Sequence, residues 1–261
     1  MRIQHNIVAL NAHRNSTVNQ ASVSKNMEKL SSGYRINRAG DDAAGLSISE
    51  KMRSQIKGLD QATRNAQDGI SYIQTAEGAL TEVSSMLTRA KELLVQKANG
   101  TYSGNDKDNI DLELNSLGEE IKSIIDNTQF NGTKVFSEAV EIAISHDAGV
   151  TLDIDIATDV VADLSTAALS STTDVAGVEG MIETVNAQRA VYGSQQNRLE
   201  HTINNLATTS ENLVASESRI RDVDMAKEMM EMTKNNILAQ AAQAMIAQAN
   251  QQPQSVLQLL R

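Results

Sequence analysis

Residues 178–220 read VEGMIETVNAQRAVYGSQQNRLEHTINNLATTSENLVASESRI, and every seventh position of that run is apolar or aromatic: Val178, Val185, Tyr192, Leu199, Leu206, Leu213 and Ile220. A sustained seven-residue repeat is the mark of a helix that keeps one narrow stripe against a neighbour along its whole length. The positions four residues on are Ile182, Arg189, Gln196, Ile203, Ser210 and Glu217, so only Ile182 and Ile203 add aliphatic bulk to a second row. At 1.5 Å per residue the run predicts a helix about 65 Å long. A compact globular domain has no use for a helix of that length. Other helices must line its seam, and the rest of the chain has to supply them.

The composition agrees. Hydrophobic residues make up 40% of the 261 positions but aromatic residues only 2%, with no Trp and two Phe. Ala, Leu, Ile, Val and Met must build the core, which suits thin helix-on-helix packing. A single Pro leaves long helices uninterrupted. The net charge of −10 argues against nucleic acid as a partner. That charge is unevenly placed: residues 1–38 carry a net +5 and 39–216 carry −15. No charged residue lies between Lys234 and Arg261. There is no cysteine, which rules out disulfides and thiol chemistry and suits life outside the cell. No apolar run near the N-terminus reads as a signal peptide, and none elsewhere reads as a membrane span.

The helices that line the seam follow from their own spacing. Ile3, Ile7, Leu10, Val23, Met27 and Leu30 give a sparse helical stripe over 1–30. It is too weak to stand without a partner. Three glycines, Asn37 and the pair Asp41-Asp42 make 31–45 a loop or spoke, with one of the aspartates capping the helix that follows. That helix, 46–98, carries the stripe Met52, Ile56, Leu59, Ala62, Ala66, Ile70, Ile73, Ala76, Leu80, Val83, Leu87, Ala90 and Leu94. A turn at 99–106 leads to a helix over 107–127 with Ile110, Leu114, Leu117, Ile121 and Ile124 on one face. Asn131-Gly132 is a tight-turn signal. From Val140 to Ile156 the period changes to two around Asp147-Ala148-Gly149, which predicts a β-hairpin. Residues 157–177 read as loop with a short helical piece. A last helix over 223–252, with Met229, Met230, Ile237, Ala241, Met245 and Ala249 on its face, is expected to end at Pro253, before an apolar tail that includes Leu257 and Leu260. The predicted fold is mainly α: a long antiparallel helical bundle with paired N- and C-terminal helices and a small β-hairpin.

Sites for chemistry are lacking. The histidines His5, His13, His146 and His201 show no metal-ligand spacing beside a carboxylate. Asp153, Asp155 and Asp159 alternate as the wet face of a strand would, without the glycine and glutamate of a calcium loop. No nucleophile–base–acid set and no phosphate loop appears. Asn99-Gly-Thr and Asn131-Gly-Thr match a glycosylation pattern but read as turns. No catalytic residue, cofactor or metal is expected. Two non-enzymatic classes remain: a self-assembling structural subunit, or a helical signalling rod of chemoreceptor type. The predicted hairpin and the glycine-bearing spoke break the unbroken heptads that a signalling rod requires.

The blocks at both ends carry a resemblance. IQHNIVALNA followed by KLSSGYRINRAGDDAAGLSISEKMRSQIKGLDQATRNAQDGISYIQTAEGAL, NTQFNGTKVF at 127–136, and the C-terminal run from NLVASESRIRDVDMAKEMM to QSVLQLLR resemble bacterial flagellin, in a short form with a minimal variable region. The likeness covers about 1–136 and 178–261. It implies three parts: a terminal coiled coil with spoke (1–45 with 221–261) in the inner tube of a filament, a helical bundle (46–136 with 178–220), and an outward variable part (137–177). It implies secretion without a cleaved signal peptide into a homopolymeric extracellular filament for swimming. Its implied partners are the flagellar export apparatus, an export chaperone, and the hook-junction and cap proteins. Polymerisation contacts are expected at Ile3, Ile7, Leu10, Ile237, Met245, Leu257 and Leu260, and both ends are expected to lack order before assembly.

One more patch stands out. On the helix 46–98, Met86, Arg89, Glu92, Leu93 and Gln96 lie away from the centre of the stripe, so an arginine flanked by apolar neighbours predicts a contact surface. The plain reading is a subunit–subunit interface. LTRAKELLVQ at 87–96 is also similar to the flagellin segment bound by Toll-like receptor 5, with Thr88, Lys91 and Leu94 departing from the better-known motif. By that likeness Arg89, Leu93 and, on the next helix, Glu113 would carry recognition.

Overall fold

The computed structural model describes residues 6–137, 139–147, 149–154 and 174–259, with side chains as far as Gln251. Among these are α1 (Ile7–Ser32), α2 (Ala43–Ala98), α3 (Gly104–Asn127), β1 (Gln129–Phe130), β2 (Thr133–Lys134), β3 (Val140–Ala143), β4 (Thr151–Ile154), α4 (Val175–Arg221) and α5 (Met225–Leu259). The architecture is mainly α with two small antiparallel hairpins. No helix of the described residues is long and apolar enough to cross a membrane. Contacts divide the chain into two compact units, Met1–Ser54 with Asn212–Arg261 and Gln55–Glu211. The division falls within α2 and α4 rather than at the loops.

The second unit has one core, fed by α2, α3, α4 and the hairpins. The α2 stripe is buried from Leu59 to Leu94, with Ile70 only half-buried. On α3 the buried row is Ile110, Leu114, Gly118, Ile121 and Ile125, while Leu117 and Ile124 are half-buried at its edge. α3 begins at Gly104, earlier than its apolar spacing indicates, because Asp106 nucleates it. Asp106 Oδ2 accepts from the Ser103 hydroxyl (2.7 Å) and backbone N–H (3.0 Å). These bonds hold the Asp106 carboxyl below its usual pKa, the hydroxyl most strongly.

Val178, Val185, Tyr192 and Leu199 of α4 are fully buried, as their spacing demands. The second row differs from expectation. It lies three residues on, where Gln188 and Gln195 are buried, whereas Arg189 and Gln196 are half-exposed. A heptad seam steps by three and by four, so polar residues can occupy the inward row and hide it from a hydrophobicity reading.

Asn131 (φ 50°) and Gly132 (φ 81°) form the two-residue turn between β1 and β2. Both central residues at positive φ is the geometry of a type I′ hairpin turn. The Phe130 ring meets Tyr72 edge to face at 5.7 Å, and the Tyr72 hydroxyl donates to Val135 O (3.0 Å). Burial pushes the Tyr72 pKa up. β3 pairs with β4 in the register Val140↔Ile154, Glu141↔Asp153, Ile142↔Leu152 and Ala143↔Thr151. Ile142, Leu152 and Ile154 point inward while Glu141 and Asp153 face water, so Asp153 lies on the wet face. Asp155, Ile156, Asp159 and the stretch through Thr173 lie outside the described residues. α4 starts at Val175, earlier than the heptads alone indicate.

In the first unit α1 packs against α5. The pair runs antiparallel, with Asn6 beside Ala249 and Lys29 beside Glu228. α1 ends at Gly33, whose φ of 75° lets its N–H close back on Lys29 O (2.8 Å). Asp42 caps α2 by accepting from Gly45 N (2.9 Å). One expectation fails: α5 does not stop at Pro253 but continues to Leu259. Proline removes an intrahelical donor and crowds the carbonyl four residues back, that of Ala249, which here accepts the Asn6 side-chain amide at 2.7 Å.

Candidate assembly and recognition surfaces

α1 and α5 bury little. Val23 and Asn26 of α1 and Glu228, Ala239 and Ala249 of α5 are inside their shared seam. Outside it stand Leu10 (70% exposed), Ile7, Val8, Val18 and Met27 on α1, and Met230 (67%), Ile237 (60%), Met229, Leu238 and Met245 on α5. Of the residues expected to polymerise, Ile7, Leu10, Ile237 and Met245 are therefore open apolar surface. Ile3 and Leu260 lie outside the described residues, as does the side chain of Leu257. Single exposed aliphatics are ordinary, but two long helices that expose most of their large apolar side chains form a surface built to be covered.

A polar cluster sits within the α1–α5 seam. Lys29 Nζ is 3.5 Å from Glu228 Oε1. With its amide assigned to satisfy both sides, buried Asn26 donates to Glu228 Oε1 (3.1 Å) and accepts from Asn235 (3.2 Å). A buried Asn in a helix pair selects register, since any slip strands its amide. The sequence held the signal: Asn26 lies three residues after Val23, on the same stripe.

The spoke is fastened by backbone hydrogen bonds and by charge. Tyr34 bridges to Asp222, Arg35 N donates to Arg221 O (2.7 Å) and Val223 N to Gly33 O (3.0 Å). The Arg221 guanidinium stacks on the Tyr34 ring at 4.7 Å and pairs with Glu50, pulling the Glu50 carboxyl below its usual range. Glu28 accepts from Arg38 Nε (2.8 Å) and Asn37 Nδ2 (2.9 Å). Asp41 takes a bond from Lys25 Nζ (2.8 Å) and from the backbone N–H of Arg38 and Asn37. Lys25 foremost, then those amides, hold the Asp41 carboxyl down at about 2.

The predicted contact patch on α2 is only partly as expected. Arg89 is exposed and reaches across to α3, with Nε and Nη2 on Glu113 Oε1 at 3.1 and 3.0 Å and Nη1 on Glu92 Oε2 at 3.2 Å. The two carboxylates, Glu113 first, raise the arginine pKa. Gln96 is exposed and donates to Tyr102 Oη (3.1 Å). Met86 is half-buried against the core. Leu93 is a correction: it is 2% exposed and part of the core. The sequence stripe assumes one partner for α2, but α3 and α4 both join that core, which widens the buried arc to include position 93. The exposed aliphatics nearby are Val95 and Leu112 instead.

Among the described residues no three His, Asp or Glu side chains come together to hold a metal. An open groove of about 410 Å³ in the second unit is lined by Asp68, Gly69, Tyr72, Phe130, Glu141 and Ile142, among others.

Two terminal helices that leave most of their large apolar side chains uncovered define, as a class, a structural assembly protein. Residues 3–141 match the bacterial flagellin N-terminal helical region and residues 175–260 the bacterial flagellin C-terminal helical region. The chain is 54% identical to a flagellin of Halalkalibacterium halodurans and 50% identical to a flagellin of Bacillus subtilis, each aligned over 100% of both chains. It is 46% identical to the flagellar filament 33 kDa core protein of Treponema phagedenis, again over 100% of both. The chain belongs to the bacterial flagellin family: it is a structural subunit of the flagellar filament and not an enzyme. That membership sets aside the signalling-rod reading.

Proposed function

We propose that the chain polymerises with itself, head to tail, into an extracellular filament that serves swimming. The observation that carries this is the open apolar face of α1 and α5, with Leu10 and Ile237 more than half exposed. Contacts between unlike patches that do not close on themselves produce open helical polymers. In this reading residues 1–45 with 221–261 form the inner tube, 46–136 with 178–220 the surrounding bundle, and 137–177 the outward part. Ile7, Leu10, Ile237 and Met245 meet neighbouring subunits, as do Ile3, Leu257 and Leu260. The chain leaves the cell through the flagellar export apparatus with its C-terminal helix covered by a chaperone, and it abuts hook-junction and cap proteins at the filament ends. Deleting residues 235–261 tests it: the truncated protein is expected to keep the helical content of the second unit and to yield no sedimentable filament on seeding. Filaments from the truncated protein would overturn the reading.

We further propose that the free subunit is a ligand of host Toll-like receptor 5 through Arg89, Glu92, Gln96 and Glu113. Two bonds from Arg89 to the single Oε1 atom of Glu113 present a charged patch across two helices. Leu93 and Met86 support that patch from beneath.

A further inference from the structure

We infer that Asn6 is a positioning residue that fixes where α1 begins on α5 and allows α5 to pass through Pro253. Its side chain is used at both ends. The Oδ1 atom accepts from Ala9 N (3.1 Å), the capping bond that starts α1. The Nδ2 atom donates to Ala249 O (2.7 Å), 243 positions away in the chain. In a regular helix that carbonyl would receive the N–H of residue 253, and residue 253 is the one proline of the chain. Ala249 is 4% exposed, so water does not replace the missing donor. An asparagine is the side chain that has a capping acceptor and an amide donor on one planar group; aspartate and serine cap equally well but lack the amide.

The two halves of the contact are therefore linked. Capping of α1 holds the amide in place, and the amide satisfies the carbonyl that Pro253 leaves open. A shift of α1 by one turn along α5 carries the capping bond with it but breaks the bond to Ala249 O, and no other α5 carbonyl lacks its donor through a proline. With the cluster of Asn26, Lys29 and Glu228 near the other end of the pair, the seam is pinned at two points. Pro253 is in this account the reason that α5 needs the N-terminus of the chain in register.

This inference rests on the filament reading, and the test separates the two. Full-length wild type, Asn6→Ser, Pro253→Ala and the double variant are assembled by seeding, and amide exchange is followed over residues 6–20 and 244–259 in the filaments. Asn6→Ser keeps a capping oxygen and loses the amide. Exchange in both stretches is expected to rise about tenfold in Asn6→Ser, the effect of stranding one buried carbonyl. In the Pro253→Ala background, where residue 253 supplies its own N–H, the same substitution is expected to change exchange less than about twofold. If Asn6→Ser does not assemble, assembly restored by adding Pro253→Ala supports the linkage, and failure to restore it overturns it. An Asn6→Ser effect of equal size in both backgrounds, or none in either, overturns it as well. Failure of wild type to form filaments would instead overturn the filament reading.

Discussion

The Cδ1 methyl of Ile142 on β3 occupies the space that a side chain at Gly69 of α2 would need. The β3–β4 hairpin thus seats on α2 at a position where an added methyl would have to displace the end of the buried Ile142 side chain. Gly78, on the same helix, has nothing within 4 Å of where its Cβ would stand. Alanine gains about 1 kcal/mol over glycine in a helix, whereas forced overpacking costs about 1–3 kcal/mol. Gly78→Ala is therefore expected to raise the thermal midpoint of the second unit and Gly69→Ala to lower it. Circular dichroism melts of the two variants against wild type check the opposite signs.

Leu93 and Arg89 are four residues apart and have opposite roles. Leu93→Ala empties a core position, and such truncations cost about 2–5 kcal/mol. Arg89→Ala removes solvent-exposed ion pairs, which contribute little to stability. Denaturant unfolding is expected to show a large loss for Leu93→Ala and almost none for Arg89→Ala. In a receptor-binding assay with purified subunit, Arg89→Ala is expected to abolish or strongly weaken binding at unchanged fold. Binding unaffected by Arg89→Ala, or undetectable in wild type, would contradict the proposed receptor role.

What the sequence made legible follows from what periodicity measures. The α2 stripe from Ala66 to Leu94 and the heptads from Val178 to Leu199 were readable because their apolar residues face a single core. Leu93 was not, because α2 has two neighbours and its second buried face carries residues that a one-stripe reading places in solvent. Gln188 and Gln195 escaped for the converse reason, being polar yet inside. Asn131-Gly132 announced its turn through backbone chemistry alone. Pro253 misled because its effect on α5 depends on Asn6, a contact between opposite ends of the chain that no local rule contains.

Acid is expected to loosen the spoke. The Asp41 carboxyl sits at about 2 in the folded chain against an ordinary 3.8, so the folded state favours its ionised form. The stability it lends is fully present above pH 3.8 and is lost as the pH falls through that value toward 2. Amide exchange over residues 33–45 should accelerate in that interval, and the Asp41→Asn variant should show a flatter profile there. Because the pair with Lys25 is at the surface, added salt should weaken the wild-type effect.

The central claim is that the open faces of α1 and α5 are covered by neighbouring copies of the chain. Amide hydrogen exchange compared between purified subunit and assembled filament tests it most directly. Protection over residues 6–30 and 235–255 is expected to be slight in the subunit, since ordering costs about 1–2 kcal/mol per residue that these faces do not offset alone. The same stretches are expected to become strongly protected in the filament, while the core of the second unit changes little. Strong protection of both stretches in the free subunit, or no gain on assembly, would contradict the account.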